Sequence, residues 1–404
     1  MQQERPVSRT KGSTILHLAG LAGLCLLVAA SNLRPALTSL ATMLAEIQGS
    51  LGISGFWTGI LTMLPVLCFG IFGPLAPFLS ARLGIEKAIF TAFALLAAAL
   101  ALRLVNNGLF LIVSTLIAGA AIGVSGVLLP VIIRRDFPHR LGLMTGLYTM
   151  VLSIGGASAA GITPMIERHT GSWNIALAVW CLPAAAGAVL WAWFAATRTI
   201  SFTPGRMPRF SVLFGDPTAW YVTGFMGLQA ALAFIVLGWL PTLLRDRGID
   251  VINAGAITSL SIVAQALTAL FTPVLAARLF PAGALVLVVL AASLSGFLGL
   301  LYGPIGSTPI WGLVLGLGQG GLFGLALLFI SLRSPNSEAA AMLSGMAQSI
   351  GYLGASLGPL VVSLLRDMSG STFPTACLFA AITMLAAGCG LRAAEKRLVL
   401  SPQA

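Results

Sequence analysis

Arg34 lies within a long apolar stretch, with Ser31 three residues before it and Thr38 four residues after it. That spacing puts a guanidinium and two hydroxyls on one face of a helix. A guanidinium carries only N–H donors, so the face suits a small anion or an electron-rich group held by charge-assisted hydrogen bonds. The arrangement demands a reason, because a charge at bilayer depth costs about 2.5–3.5 kcal/mol on insertion scales. Pro35 adds to the case: it removes a backbone N–H and frees a carbonyl about one turn earlier. Such a break is tolerated where it faces protein or a watery cavity. Asn32 points elsewhere on the helix, where it either joins the site or only caps the break. The competing reading is an arginine near the helix end that snorkels to the headgroups. Counted from Ile15, Arg34 lies roughly 28 Å along the helix. The helical pattern continues through Leu37, Leu40 and Leu44 to Glu46, so a helix entering the bilayer near Leu18 to Gly23 carries Arg34 inward.

Other polar side chains fall in apolar stretches: Gln229, Gln265, Gln319, Gln348, Tyr148 and Tyr352. Any one of them alone reads as a helix-packing hydrogen bond worth ~0.6 kcal/mol. Together, two or three of Gln229, Gln319, Tyr148 and Gln348 are expected to line a cavity shared with Arg34. Trp239 reads equally as an interfacial anchor or a cavity wall. All 11 acidic residues fall in or beside loops, which weakens a cation/proton antiporter built on a buried carboxylate. The three histidines are far apart in the chain, so no metal site is expected. No acid/base pair or activated nucleophile lies within the spans, which argues against an enzyme. Gly316-Leu-Gly318-Gln-Gly-Gly321 matches a dinucleotide fingerprint, yet it sits in an apolar span with no strand before it. No cofactor is expected.

The elements that must hold these residues are set by composition. The chain has 404 residues, 58% hydrophobic and 8% charged, with mean hydropathy +0.99, and lacks the polar surface of a soluble globule of that size. A spanning helix needs about 20 mainly apolar residues. Twelve candidates occur, at 14–42, 54–79, 88–105, 109–133, 142–166, 174–196, 218–244, 253–277, 282–302, 309–332, 339–366 and 373–392. The fold class is therefore an all-α integral membrane protein with 12 transmembrane helices. The net charge of +11 is dispersed over short loops, without the basic stripe of a nucleic-acid binder. Arg82, Lys87, Arg134, Arg135 and Arg140 share one side with most other basic residues, whereas Arg103, Arg168, Arg245, Arg247 and Arg366 fall on the other. The positive-inside rule then puts both termini in the cytoplasm. The apolar run past Ala30 is too long for a signal peptide. The five cysteines lack paired spacing and read as small buried residues.

An internal repeat organises the spans. Pro77-Phe-Leu-Ser-Ala-Arg82-Leu83 recurs 196 residues later as Pro273-Val-Leu-Ala-Ala-Arg278-Leu279. The same offset pairs Gly59 and Thr62 with Gly255 and Thr258, and Ser153-Ile154-Gly155 with Ser349-Ile350-Gly351. Two parallel six-helix halves follow: a bundle at 14–196, a Pro- and Arg-rich cytoplasmic linker at 197–217, and a bundle at 218–393. The offset carries Leu33 to Gln229 and Arg34 to Ala230, which sets Gln229 at nearly the depth of Arg34.

The loop Leu79-Ser-Ala-Arg82-Leu-Gly84-Ile-Glu86-Lys87 resembles the G-x-x-x-D-R-x-G-R-K loop of the major facilitator superfamily. Arg82, Gly84 and Lys87 match, while Ala81 replaces the family's acid and puts its charge-paired gate in doubt. Asn32-Leu-Arg34-Pro35-Ala-Leu-Thr38-Ser39, Leu128-Leu-Pro130 with Arg134-Arg135-Asp136-Phe137, Gly227-Leu-Gln229 with Trp239-Leu-Pro241, and Gly316 to Gly321 with Ser344 to Gly351 are similar to the cyanate permease and nitroimidazole transporter branch. The resemblance runs from about residue 30 to 370. It implies the major facilitator fold, a cell (inner) membrane location and alternating access by a monomer. Spans 1, 4, 7 and 10 would surround the cavity, favouring Gln229 and Gln319. The expected partners are a small-molecule substrate, the lipid bilayer and a coupling ion. The substrate would be a small anion, cyanate-like, or a small polar solute bound by Arg34. The alternative is export of small aromatic or heterocyclic toxicants such as nitroimidazoles.

Overall fold

Inside a bilayer no water is available to satisfy backbone N–H and C=O groups, so a chain this apolar must close its hydrogen bonds within helices. The computed structural model describes residues 9–197, 210–278 and 280–400, and the described residues contain helices and no strand. Among the described residues twelve helical spans are long and apolar enough to cross a membrane: Gly20–Thr42, Gly55–Leu83, Ile85–Leu102, Gly108–Asp136, Leu143–Thr170, Trp173–Thr197, Pro217–Asp246, Val251–Pro273, Ala282–Tyr302, Ile305–Leu332, Ala339–Ser369 and Phe373–Ala394. The chain is a multi-pass membrane protein. With an even number of spans among the described residues, the first span begins and the last span ends at one end of the bundle, called the terminal end below. The expected linker at 197–217 falls largely on residues 198–209, outside the described residues.

Span 1 is interrupted where Pro35 requires it. One helix runs Arg9–Asn32 and a second runs Pro35–Thr42, with the proline in the first turn of the new helix, where its missing N–H costs nothing. Leu33 N closes a short turn on Ala30 O at 3.2 Å, and Thr38 N bonds Arg34 O at 3.1 Å. Pro35 has no N–H to offer the Ser31 carbonyl, and Gly155 of span 5 lies directly against that carbonyl. A Cβ at Gly155 would sit 2.0 Å from Ser31 O. The repeat preserves this approach, since 196 residues on, Gly227 of span 7 meets Gly351 of span 11, with a Cβ on Gly227 only 3.0 Å from Gly351 Cα. Span 7 itself is unbroken over Pro217–Asp246, because Ala230 and Ala231 stand where span 1 has Arg34 and Pro35.

The apolar core divides between spans 1–6 and spans 7–12. One cluster gathers Leu26, Phe93, Leu129, Trp191 and Phe194, and the larger one gathers Phe225, Leu240, Phe297, Phe329 and Phe379. The two halves meet through exchanged contacts. Gly59 of span 2 lies against Leu360 and Ser363 of span 11, and Gly255 of span 8 lies against Ala160 and Pro164 of span 5. Because 59 and 255, and 164 and 360, differ by the repeat offset, one seam is the pseudo-symmetric copy of the other. Among the described residues three polar ties cross between the halves: Arg34 to Gln265, Arg245 to Glu46, and Ser363 Oγ to the Gly55 carbonyl. The first is at mid-bundle and the other two are at the end opposite the termini.

Arg103 corrects one expectation. The sequence reading counts it among the basic residues at one side of the membrane, at the end of the 88–105 candidate, but it is 1% exposed. It turns inward just past the end of span 3. Its Nε donates to Ser114 Oγ at 3.1 Å, and Nη1 and Nη2 both donate to the Ala36 carbonyl at 3.2 Å. A second buried cation thus clamps the downstream side of the span 1 break. The cysteines also differ in part: Cys25 and Cys68 are buried, whereas Cys377 is exposed on the protein surface.

Gly155→Val forces a side chain onto a backbone carbonyl, which the helices relieve only by separating; overpacking of this kind costs about 1–3 kcal/mol. A lower melting temperature in detergent is expected for Gly155→Val and for its repeat mate Gly351→Val. Two melting curves matching wild type would show that the close approach is not required.

Candidate functional site

Arg34 lies 8 residues before the end of the Gly20–Thr42 span, about 12 Å along a helix. It is well inside the apolar segment and half-buried. Its Nη1 donates to Gln265 Oε1 of span 8 at 2.8 Å. An arginine has no acceptor, so the glutamine must present its carbonyl and keep its two N–H groups for something else. Tyr148 of span 5 and Tyr352 of span 11 lie close enough to interact electrostatically with the guanidinium. No carboxylate among the described residues pairs with Arg34. Its stem runs along the bare backbone of Gly156, where an added Cβ would be 3.1 Å from Arg34 Cβ and 3.2 Å from Arg34 Cδ.

The hydroxyls expected to flank the guanidinium are bonded to their own helix. Ser31 Oγ donates to Val28 O at 2.8 Å and Thr38 Oγ1 to Arg34 O at 3.2 Å, which satisfies their protons and leaves only lone pairs that cannot hold an anion. Asn32 Nδ2 donates to Val28 O at 2.8 Å, facing Gly187 of span 6 and away from the seam. Gln229 is 1% exposed, folds back on Met226 O at 3.1 Å, and leaves its Oε1 without a partner. Its repeat mate Leu33 explains this: one residue of helix is a 100° turn, so the face that shows Arg34 to the seam turns Leu33, and hence Gln229, into the core. Gln319 is likewise buried, donating to Ser293 Oγ of span 9 at 2.8 Å. Gln348 donates to Ser344 Oγ on its own helix at 2.7 Å. Trp239 is buried and donates to Pro359 O at 2.9 Å. Tyr148 alone of the four expected cavity-lining residues is brought to Arg34.

In the loop after span 2, Gly84 adopts φ +83°, ψ 153°, a conformation open essentially to glycine alone. Arg82 is exposed and stacks over Phe78 at 4.3 Å, and Lys87 is exposed. Close to Ala81 the loop carries one acid. Glu86 is 6% exposed and pairs with Arg135 of span 4 at 2.6 Å, and Arg135 also holds Asp136 at 2.8 Å.

The family model described as Major Facilitator Superfamily matches residues 19–391. The chain belongs to the major facilitator superfamily. It is 32% identical to the 2-nitroimidazole transporter of Escherichia coli (strain K12), over 88% of this chain and 90% of that protein. It is 30% identical to the cyanate transport protein CynX of the same organism, over 86% and 90% respectively. The crystal structure of a D-xylose–proton symporter matches with a TM-score of 0.71 at 16% identity, covering 96% of this chain and 99% of that one. This major facilitator is a membrane transporter built on the superfamily's twelve-helix fold.

Within the facilitator fold the repeat exposes residues that side-chain type alone did not rank. Arg34, Thr38, Gly156 and Gln265 map by the 196-residue offset onto Ala230, Phe234, Tyr352 and Phe69. Those last three form a triangle of rings, with centroids 5.9, 6.2 and 6.1 Å apart. A small residue faces a large one in each half: Gly156 makes room for Arg34, and Ala230 packs in the cluster that Tyr352 covers. Reading the offset at Arg34's neighbours would have found Tyr352 and Phe234. Nothing in the sequence links Arg34 to Gln265, whose separation is 231 residues.

Gln265→Glu sets a carboxylate in place of the amide oxygen on Arg34, and a doubly charged hydrogen bond is stronger than a singly charged one. The ligand-free protein is expected to melt at a higher temperature than wild type, and Gln265→Met, which orphans the guanidinium, at a lower one. The opposite order would mean that the contact carries no stability.

Proposed function

We propose that this facilitator is a secondary transporter that moves a small anion or small polar solute by alternating access, with Arg34 as the central cation. One observation carries the reading: a guanidinium inside the membrane-spanning region, on the seam between the halves, hydrogen-bonded to an amide and paired with no carboxylate among the described residues. A neutral amide stabilises the charge between cycles without cancelling it, so an incoming anion meets an uncompensated cation. The relative named as a cyanate transporter supports an anionic solute. Acids at the span ends, with none beside Arg34, fit facilitated flux or exchange better than a proton carried on a mid-membrane carboxylate.

The bundles at 14–196 and 218–393 are the bodies that rock, and a monomer suffices because the site lies between two halves of one chain. Cytoplasmic termini at the inner membrane follow from the charge asymmetry of the loops. With that orientation, the Glu46–Arg245 and Ser363–Gly55 ties join the halves at the extracytoplasmic end. Export of a neutral heterocycle is the second reading, supported by the Phe69–Phe234–Tyr352 rings and by the relative named for 2-nitroimidazole.

Uptake of labelled cyanate and of 2-nitroimidazole into proteoliposomes separates the two. A charged hydrogen bond is worth about 1.5–3 kcal/mol, so Arg34→Gln is expected to lower anion uptake by roughly 10- to 100-fold. Gln265→Glu, which fills the anion position with a carboxylate, should do the same. Anion uptake unchanged in Arg34→Gln at equal protein would overturn the assignment. Transport of the neutral heterocycle alone, equal in both proteins, would favour the second reading.

A further inference from the structure

A groove of about 470 Å³ lies on the second half, at the end of the bundle opposite the terminal end and away from Arg34. That volume falls in the range of small-ligand sites. One rim is the turn into span 8 with that helix's first turns, and the other is the turn into span 10 from Ile305 to Pro309. Arg247 ties the rims together, since its two terminal nitrogens donate to the carbonyls of Leu300 and Gly303 at the end of span 9. The scaffold itself does not require the opening. The 196-residue offset pairs Asn253 and Ala256, which line the groove, with Trp57 and Ile60 of span 2. Small side chains leave space in one half where the other half carries bulk.

The groove changes character along its length. Its inner part, lined by Ala256, Ile257 and Leu260, runs into an apolar stripe on the protein surface. Leu260, Val263 and Leu267 of span 8 and Ile310 and Leu313 of span 10 are between 37% and 63% exposed. On a membrane-crossing bundle lipid tails cover such a stripe, being as apolar as leucine, so the groove opens sideways to the bilayer. Tyr302, exposed at the end of span 9, suits the headgroup level, where amphipathic rings collect. At the mouth stands Asp250, just outside span 8. Its Oδ1 accepts from Ile252 N at 3.0 Å and Asn253 N at 3.1 Å, and its Oδ2 accepts from Asn253 Nδ2. These bonds from Asn253 hold the carboxyl below the usual carboxylate range, so it is charged at neutral pH. A carboxylate oxygen has two acceptor positions and an amide nitrogen two N–H groups. Asp250 Oδ2 and Asn253 Nδ2 therefore each keep one for an outside partner. None of the residues lining the groove is basic.

We propose that the groove holds one phospholipid with a primary ammonium headgroup, taken from the leaflet opposite the terminal end. The ammonium donates to Asp250 Oδ2, the phosphate accepts the spare N–H of Asn253, and an acyl chain runs past Ile257 and Leu260 onto the apolar stripe. The charge pattern sets the selection. An anionic headgroup would bring its phosphate to a carboxylate with no ammonium to offset it. A trimethylammonium carries the charge but no N–H, and so forfeits the charge-assisted hydrogen bond. The site is independent of Arg34 and of the transported solute.

Native mass spectrometry of the purified full chain, titrated with single lipids, tests this through the affinity for the first lipid bound. Phosphatidylethanolamine is expected to bind about tenfold more tightly than phosphatidylcholine or phosphatidylglycerol of the same chains, the worth of one charged hydrogen bond. Asp250→Asn keeps the helix cap, because asparagine caps as well as aspartate, and is expected to erase that preference. Asn253→Trp, which copies span 2, should lower the affinity for phosphatidylethanolamine to that for the other two lipids. Glycerophosphoethanolamine, which has the headgroup and no chains, should not compete even in large excess. Equal affinities for the three lipids in wild type, as for a loose surrounding layer, would overturn the proposal, and so would a preference that survives in Asp250→Asn. Competition by glycerophosphoethanolamine would overturn the lipid as occupant and make the groove a site for a soluble amine. The lipid series on wild type decides the question even where a variant fails to fold.

Discussion

Keeping one guanidinium charged in the middle of an apolar bundle is the constraint around which the centre of this protein is arranged. The charge cannot be left without hydrogen bonds and cannot be cancelled if it is to bind an anion. The structure meets both demands with an amide: Gln265 supplies a carbonyl at 2.8 Å and contributes no net charge. Space for the stem comes from Gly156, and the chain direction comes from the break at Leu33 and Arg34 that Pro35 enforces. Each feature answers a cost created by another. The proline frees the Ser31 carbonyl, Gly155 packs onto it, and Arg103 holds the Ala36 carbonyl on the far side of the break.

The repeat explains both the architecture and the departure from it. Where glycines bring helices together, the halves agree: Gly155 and Gly351 perform the same close approach, and Thr62 and Thr258 make the same hydrogen bond to the carbonyl four residues back. Around Arg34 the halves disagree, with a charge and an amide on one side and an alanine and rings at the corresponding positions of the other.

The ends of the bundle also differ in their polar contacts. Opposite the termini, ties cross between the halves at Glu46–Arg245 and Gly55–Ser363. At the terminal end, Arg135 pairs with Glu86 and Asp136, all three within the first half.

Span number and helical class were legible in the sequence, because each depends on local hydropathy summed along the chain. The partners of Arg34 were not. Gln265 reaches it only because span 8 packs on span 5 and faces span 1, and helix rotation decides the rest. A single residue of register, a 100° turn, sent Gln229 into the core while Arg34 faced the seam, and chemical type says nothing of rotation. Arg103 shows the same limit from the other side: a basic residue at a span end reads as a cation at one side of the membrane, and only the carbonyl waiting at Ala36 draws it inward. Composition and periodicity dictated which segments enter the membrane, since that is a transfer energy summed along the chain. Which side chains meet inside it was decided by how helices pack, a matter of shape between residues hundreds of positions apart.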